Sequence, residues 1–504
     1  MALIANGFLG FYFFILGLLA IFGAHRYFLT YLYYRHKKQI THGLLPFESL
    51  KNPPKVTVQL PIYNEKYVVE RLIKRVCKLD YPRELLEIQL LDDSTDETQQ
   101  IARATVKRFQ KKGFPIVYLH RENRVGFKAG ALEEGLKVAK GDYIAVFDAD
   151  FLPPSDFLKR IIPHFFTPKR YGMVQARWGH LNQDYSLMTQ AQSILLDGHF
   201  VIEHTARNRS GRFFNFNGTA GVWDRKCIQE AGGWEHDTLT EDLDLSYRAQ
   251  LKGWKFLYLP DLVVPAELPV DMNGFKAQQH RWAKGSIQTA KKLIPQILKS
   301  DLPLPLKLES CFHLLNNFAY VLTVLLAIMM PFAILLRQQR SGPTYLWIDL
   351  PVFLLATVSF GFFYLCSQRE VYPRWHSRLL FLPLNLILGI GLAVNNTKAV
   401  FEALFNQQSD FARTAKYAIA RRQDSWLNKK YKSSFGFVTF VELFLGFYFT
   451  VAVVYALIQG LWPSLYCLIL FQAGFLYVGM LSFFQGRQWW GFAPQLETSA
   501  VNVE

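Results

Sequence analysis

The sequence predicts an α/β domain carried on a bundle of membrane-spanning helices, and three observations lead there. Short apolar runs alternate with stretches of helical spacing between about residues 50 and 150. Long apolar regions lie on both sides, at 7–24 and from Leu314 onward. The chain is 51% hydrophobic and 15% aromatic, with 43 Phe among 504 residues, which is rich for a soluble protein.

Residues 7–24 carry no charge, and His25-Arg26, Arg35, Lys37 and Lys38 follow. A spanning helix needs about 20 apolar residues. A cleaved signal would carry its basic residues before the apolar run. The segment 1–35 therefore reads as an uncleaved anchor with its C-terminal side in the cytosol.

From 36 to 273 the hydropathy is that of a globular domain. Val56–Leu60 reads as a strand ending at Pro61, and 67–79 as a helix with Val68, Leu72, Ile73 and Val76 on one face. Ile88–Leu91 is a short strand ending at Asp92. Ser94-Thr-Asp-Glu97 fits a capping box opening a helix at 96–111. Strand 116–119, helix 127–139 and strand 143–147 follow. This alternation predicts a parallel α/β sheet, in which ligands sit outside the C-terminal ends of strands. Glu65, Asp92 and Asp148 all fall just after such strands. Neither GxGxxG nor GxxxxGK[ST] occurs, which removes the main support for dinucleotide and P-loop readings.

Residues 274–313 read as interfacial amphipathic helices. Candidate spans follow at 314–336, 347–366, 379–397, 438–461 and 464–484, with Asp349 at the edge of the second and Glu442 inside the fourth. If all five crossed, the loop at 398–436 would lie outside. Yet it carries Arg413, Lys416, Arg421, Arg422, Lys429, Lys430 and Lys432, and basic loops stay cytosolic. Making 379–397 interfacial or re-entrant, with Asn385, Asn395 and Asn396 facing protein or headgroups, removes the conflict and leaves five spans in total. The last two helices occupy 437–485, and 486–504 is a tail.

Several short patterns carry the chemistry. Asp148 and Asp150 flank Ala149 after a buried strand, where two carboxylates can hold Mg²⁺ or Mn²⁺ against a diphosphate; the plainer alternative is a turn with solvated acids. Asp92 and Asp93 could bond the base and ribose of a nucleotide, or cap the next helix. Glu65 is placed like them. Lys128 opens a helix, where backbone N–H groups favour anions, or is an ordinary exposed lysine. Asn217-Gly218-Thr219-Ala-Gly221 is small enough to let a chain approach the backbone. Asp242, in Thr240-Glu241-Asp242, is the candidate general base for an acceptor hydroxyl, although it and Asp244 could also cap a helix at 243–251. In Gln278-x-x-Arg281-Trp282, the arginine can fork onto a diphosphate and the tryptophan can face a sugar; an interfacial Arg-Trp anchor is the other reading. Together they suggest metal-dependent sugar transfer at a bilayer.

The formal charge of +16 suits anionic lipid headgroups and an anionic nucleotide-sugar, and no nucleic-acid role is expected. The five cysteines are scattered, without CxxC, which argues against structural zinc or a disulfide framework.

In their order and spacing these motifs resemble the processive family-2 glycosyltransferases, above all the cellulose synthase-like A and C group that makes β-1,4-mannan or β-1,4-glucan. The likeness is dense over about 50–300 and loose in the membrane part. It implies a GT-A-like fold, a Rossmann-like nucleotide-sugar domain with a mixed sheet, plus a multi-span α-helical membrane domain. It implies an inverting enzyme that extends a polysaccharide from UDP-glucose or GDP-mannose with Mg²⁺ or Mn²⁺ and exports it through its own helices. The nucleotide-sugar residues would be Glu65, Asp92, Asp93, Lys128, Asp148, Gln278 and Arg281. Asp148 and Asp150 would hold the metal, and Asp242 would be the base. Trp282, Asn217, Gly218, Thr219 and Glu241 would meet the acceptor. Phe411-Ala-Arg413-Thr414-Ala-Lys416 resembles the cellulose synthase gating loop, Phe-x-Val-Thr-x-Lys, with Arg413 in place of Val. Only about twenty residues follow the last span, too few for the cyclic-di-GMP-binding domain of bacterial cellulose synthases. The catalytic domain would face the cytosol, from a plasma or inner membrane or the Golgi. Membrane lipids are expected partners, with a homo-oligomer or accessory subunits left open. The competing readings are a single transfer to a lipid, as in ceramide glucosyltransferases, and a non-enzymatic scaffold or transporter. Transporters usually carry ionisable groups in their spans or a repeat. Here Glu442 stands alone.

Overall fold

The structure, a computed structural model, describes residues 2–38, 46–338, 351–352, 354–408, 413–431 and 434–487. Its sheet is built from β1 (Val56–Ile62), β2 (Leu86–Asp92), β3 (Ile116–His120), β4 (Tyr143–Val146), β5 (Tyr171–His180), β6 (Gly221–Asp224) and β7 (Lys255–Ala266). The spatial order is β3-β2-β1-β4-β6-β5-β7. β1 and β2 are apolar and buried almost throughout, as expected of strands covered on both faces. Six strands run one way. Only β6 is reversed, pairing antiparallel with β4 and β5. The sheet is therefore mixed, as the GT-A likeness implied, rather than wholly parallel as strand–helix alternation implied. The reversed strand lies past residue 150, beyond the part of the chain where that alternation was read.

Two apolar cores sandwich the sheet. One joins Val58, Leu60 and Ile88 to Leu72, Val76 and Phe157. The other joins Ile144, Val146 and Trp223 to Leu132, Leu136 and Leu245. The helices between strands lie close to their expected places: Val69–Val76, Thr98–Gln110 and Phe127–Val138. The capping box at 94–97 does not form. Ser94 Oγ instead accepts the Asn64 N–H at 2.8 Å, tying two loops together, and the Asp96 carboxylate accepts the Thr98 N–H at 2.9 Å.

The first helix runs unbroken over Ala2–His36, close to the 1–35 expected of the anchor and well past the charge-free run that ends at 24. At about 1.5 Å per residue it reaches roughly 50 Å, far more than a hydrocarbon core of about 30 Å. Its charges do not end it because each has a protein neighbour. His25 meets Glu309 at 2.9 Å, and Arg26 lies over the Phe360 ring. Beyond them Leu29, Leu32 and Tyr33 pack on Val201, Ile202 and Phe363.

Among the described residues four helices are long and apolar enough to cross a membrane: Leu3–His36, Phe318–Gln338, Phe437–Ile458 and Trp462–Gly486. A pair, Trp375–Gly391 and Ala393–Leu404, is bent by 41° and forms a broken span or a re-entrant loop. Asn385, Asn395 and Asn396 in it are buried against protein. Of the candidate span at 347–366, residues 347–350 and 353 lie outside the described residues. The described part continues to Val371, with Ser367 and Gln368 buried.

Candidate functional site

The topology brings seven chain turns to one edge of the sheet. Six strands end there, and the reversed β6 begins there. Glu65 follows β1, Asp93 follows β2, Asp148 follows β4, and Asn217-Gly218 precedes β6. Helix Met272–Lys299 closes the edge from the membrane side. Its Gln278, Arg281 and Trp282, three and four residues apart, share a face turned into the pocket.

The pocket gathers most of the predicted residues. Glu65, Asp93, Lys128, Asp148, Asp150, Asn217, Gly218, Glu241, Asp242, Gln278, Arg281, Trp282, Arg413, Thr414 and Lys416 all line it. Two do not, and these are corrections. Asp92 is fully buried. One of its oxygens accepts the Ser94 N–H at 2.8 Å and the other accepts the Tyr118 hydroxyl at 2.6 Å, so it shapes the loop that presents Asp93 rather than facing a nucleotide. Thr219 is also fully buried. Its hydroxyl accepts the Asp148 N–H at 2.9 Å, which fixes the loop after β4 rather than meeting an acceptor. Phe411 lies outside the described residues. Asp244, the neighbour that could have been confused with Asp242, points away to Arg248 and Lys292 at 2.7 and 3.0 Å.

Asp242 occupies the first turn of helix Glu241–Leu251, with its Oδ1 on the Leu243 N–H. Burial, and then the neighbouring Glu241, push its carboxyl up to about 7. Gly218 faces it with φ +79°. The positive φ favours glycine, and a Cβ there would crowd Asp242 Oδ2 at 3.1 Å and Lys128 Nζ at 3.2 Å. Lys128 donates to Asp148 Oδ1 at 2.6 Å and to the Gly218 carbonyl at 2.8 Å. Burial opposes its charge, but Asp148 and Glu241 outweigh that and raise its pKa. Arg281 is shifted the other way by burial, although Glu241, Asp148 and Asp242 surround it with negative charge.

The loop after Arg413 reaches back into this edge. Lys416 donates to Asp150 Oδ2 at 2.7 Å and Arg413 to Glu65 Oε1 at 3.2 Å. The loop is also tied to the α/β domain by Tyr431 to Asp96, Lys430 to Glu97, and the Lys430 N–H to the Tyr67 hydroxyl. Glu267, just past β7, accepts the Tyr417 N–H at 2.7 Å and gives its own N–H to Asp150.

The donor set at this edge suits a hard divalent cation. Glu65, Asp148 and Asp150 line it with carboxylate oxygens. Burial, with Asp150 and Asp148 adding to it against Arg413, pushes Glu65 up to about 7. Among the described residues, the one triad with ligand atoms within 4.8 Å of one another is elsewhere, at Glu235, Asp237 and Asp244. That triad already encloses the Lys292 ammonium at 2.5, 2.8 and 3.0 Å.

Several pocket residues were missed from sequence. Arg124 stacks over the Tyr63 ring at 3.4 Å beside Asp93. Arg121, which does not itself line the pocket, forks onto Asp93 at 2.7 and 2.5 Å. Trp178 stands 6.5 Å from Trp282 and packs on Phe151 and Phe200. Trp178 and His180 end β5, so the rule that found Glu65 would have found them had 171–180 been recognised as a strand.

The family model described as "Glycosyltransferase like family 2" matches residues 53–285. Glucomannan 4-beta-mannosyltransferase 2 of Arabidopsis thaliana is 47% identical over 253 residues, covering 49% of this chain and 47% of the relative. Glucomannan 4-beta-mannosyltransferase 7 of the same plant is 33% identical over 446 residues, covering 84% of this chain and 77% of the relative. The first match thus spans about half of the relative's length and the second more than three quarters. A mannosyltransferase of Pyrobaculum calidifontis, solved in complex with GDP-Man and Mn²⁺, aligns with a TM-score of 0.50 at 20% identity, over 78% of this chain and 100% of that one. That alignment establishes the GT-A fold alone.

Proposed function

The chain belongs to the family-2 glycosyltransferases, among relatives named glucomannan 4-beta-mannosyltransferases, and from that premise we propose an inverting, processive hexosyltransferase that extends a β-1,4-linked mannan or glucan at a membrane. GDP-mannose is the favoured donor because the relatives' names carry mannosyl transfer, with UDP-glucose second. The observation that carries the reading is the meeting, in one pocket, of Asp242 near neutrality with Lys128 and Arg281 and with the Asp148–Asp150 pair.

In this reading the terminal hydroxyl of the acceptor attacks the anomeric carbon of the donor sugar. A new C–O bond forms, the bond from that carbon to the diphosphate oxygen breaks, and the configuration inverts. Asp242 takes the hydroxyl proton. Lys128 and Arg281 offset charge on the departing nucleoside diphosphate, and the arginine's planar fork suits phosphate oxygens. Asp148 and Asp150 would hold Mg²⁺ or Mn²⁺, which when bound would offset further negative charge on the diphosphate. Asp93 and the stacked Tyr63 and Arg124 take the nucleoside, while Trp282 and Trp178 offer faces to the acceptor sugars. The catalytic domain faces the cytosol, and the product leaves through the chain's own helices. The basic residues Arg413, Lys416, Arg421 and Arg422 on the loop that reaches the pocket support that sidedness.

The test is incubation of the purified protein in lipid nanodiscs with a panel of nucleotide-sugars, followed by linkage analysis. A ladder of β-1,4-mannosyl or β-1,4-glucosyl products is expected. A single glycolipid, or no transfer from any donor, would overturn the proposal.

A further inference from the structure

Glu442 is the one acid that the sequence places inside an apolar span, and the reaction makes no use of it. It is fully buried in helix Phe437–Ile458 and meets Lys276 Nζ at 2.7 Å. Lys276, itself only 6% exposed, also donates to Thr439 Oγ1 at 3.3 Å and Ser482 Oγ at 3.4 Å. An ionised residue at membrane depth is costly, persists when paired, and marks function by default. Here the pair joins the last two spanning helices to Met272–Lys299, the helix that presents Gln278, Arg281 and Trp282.

The pair is one stitch in a row. On the same helix His280 meets Glu402 Oε2 at 3.0 Å, and Lys284, only 1% exposed, meets the same oxygen at 3.0 Å and the Gln407 carbonyl at 2.6 Å. At 3.6 residues per turn, positions 276, 280 and 284 fall within an arc of about 80°, and 278, 281 and 282 within an arc of about 100° on the opposite side. One face is sewn to the membrane helices while the other face forms the pocket wall.

We infer that the Lys276–Glu442 ion pair is a positioning element of the transfer reaction: it fixes the rotation and depth of the helix that carries Gln278, Arg281 and Trp282, and so sets where the acceptor end of the growing chain meets the donor. Neither residue touches the pocket, and both act through that helix. A helix is a stiff lever, so loosening a stitch one turn away moves the Arg281 and Trp282 side chains together. A displacement of about 1 Å at a reacting centre costs on the order of a hundredfold in rate. The inference rests on the proposed polymerase reading for its activity arm only.

The experiment compares Glu442→Gln, Lys276→Met and the charge-swapped double variant K276E/E442K with the parent, all in nanodiscs. Three readouts are followed: nucleoside diphosphate binding, polymer formed per donor consumed, and hydrogen exchange of amides 276–284. Each single variant is expected to lower polymer formation at least tenfold, to weaken nucleoside diphosphate binding by a smaller factor because Arg281 moves with the helix, and to speed exchange at 276–284. The swapped variant is expected to recover most of both. Single variants with parental polymer formation and parental exchange would overturn the inference. So would a swapped variant that folds but recovers neither, and so would an equal loss of nucleoside diphosphate affinity, which indicates general damage. If a single variant cannot be isolated folded, the swapped variant decides on the same readouts. A parent that makes no polymer would sink the polymerase reading, while the exchange arm would still judge the pair.

Discussion

Asp242→Asn tests the centre of the site, and its consequences can be worked out for both rate and stability. The carboxyl is held at about 7 by burial and by Glu241. A base must be ionised to accept a proton, so kcat/KM should rise with pH through that value. With a pKa near 7, roughly one tenth of the enzyme is competent at pH 6 and roughly nine tenths at pH 8, a difference of about tenfold. The asparagine variant should lose at least a hundredfold at pH 8, within the usual span for a general base, and its residual rate should lack this limb. Glu65 is also held at about 7, mainly by burial, and could give the same profile. The control is Glu65→Gln, which should keep the limb while lowering the rate. Stability has the opposite sign. Because the folded pKa is raised above the ordinary 3.8, the native state holds the proton more tightly than the unfolded chain. That contribution is full below about 4 and is lost as pH climbs through 7. At about 1.4 kcal/mol per pKa unit, removing the buried charge at pH 8 could return at most about 4 kcal/mol. Asp242→Asn should therefore melt later than the parent at pH 8, and the gap should narrow as pH falls and close near pH 4. The assays are initial rates of nucleoside diphosphate release and thermal melts by intrinsic fluorescence. A flat rate profile from pH 6 to 8, a variant within tenfold of the parent, or a limb that vanishes with Glu65→Gln instead would refute the assignment.

Three further outcomes follow from the same geometry. Trp282→Ala should bind the nucleoside diphosphate like the parent yet shorten the product ladder to its first steps, as read by mass spectrometry; normal product lengths would remove its stacking role. Gly218→Ala forces a side chain into φ +79°, at about 1–2 kcal/mol, and presses on Asp242 and Lys128. A lower melting temperature and at least tenfold slower turnover are expected, and an unchanged rate would show that the contact has no catalytic weight. Lys416→Met frees the Asp150 oxygen that the ammonium holds at 2.7 Å. Calorimetric titration with Mn²⁺ should then show tighter binding by about tenfold, the equivalent of roughly 1.4 kcal/mol; weaker binding would remove Asp150 from the metal set.

Strands β1, β2 and β4 and the acids near their ends were legible because they are short apolar runs, β2 and β4 leading into aspartates and β1 followed by Glu65 three residues on. Asp148, Asp93 and Glu65 were reached by that logic alone. The same logic misplaced Asp92, because adjacent residues at a strand end face opposite ways and no pattern says which one turns inward. Thr219 was misjudged for a related reason: the glycines beside it suggested a loose loop, whereas Gly218 and Ala220 adopt positive φ to form a fixed one. Trp178 stayed hidden because 171–180 was not recognised as a strand, although Val174, Ala176 and Trp178 alternate with Gln175, Arg177 and Gly179. Lys276 could not be paired with Glu442 from sequence, since 166 positions separate them and only packing of the last spans on the pocket helix brings them together.

The charge census of the pocket favours the proposed binding of a cation and a diphosphate together. Seven carboxylates line it, at Glu65, Asp93, Asp148, Asp150, Glu241, Asp242 and Glu267, against five cations at Arg124, Lys128, Arg281, Arg413 and Lys416 among the described residues. Glu65 and Asp242 sit near neutrality, which brings the balance close to even. Two of the five cations belong to the loop after Arg413, and they hold Glu65 and Asp150 rather than one another. A divalent cation taking the Asp150 oxygen that Lys416 holds would put two positive charges where the ammonium supplies one. A nucleoside diphosphate without the cation would add negative charge beside acids that burial already holds near neutrality. Donor and metal should therefore bind with positive coupling. Nucleoside diphosphate affinity measured with and without Mn²⁺ reads that coupling directly, and equal affinities would mean that Lys128 and Arg281 alone carry the anion.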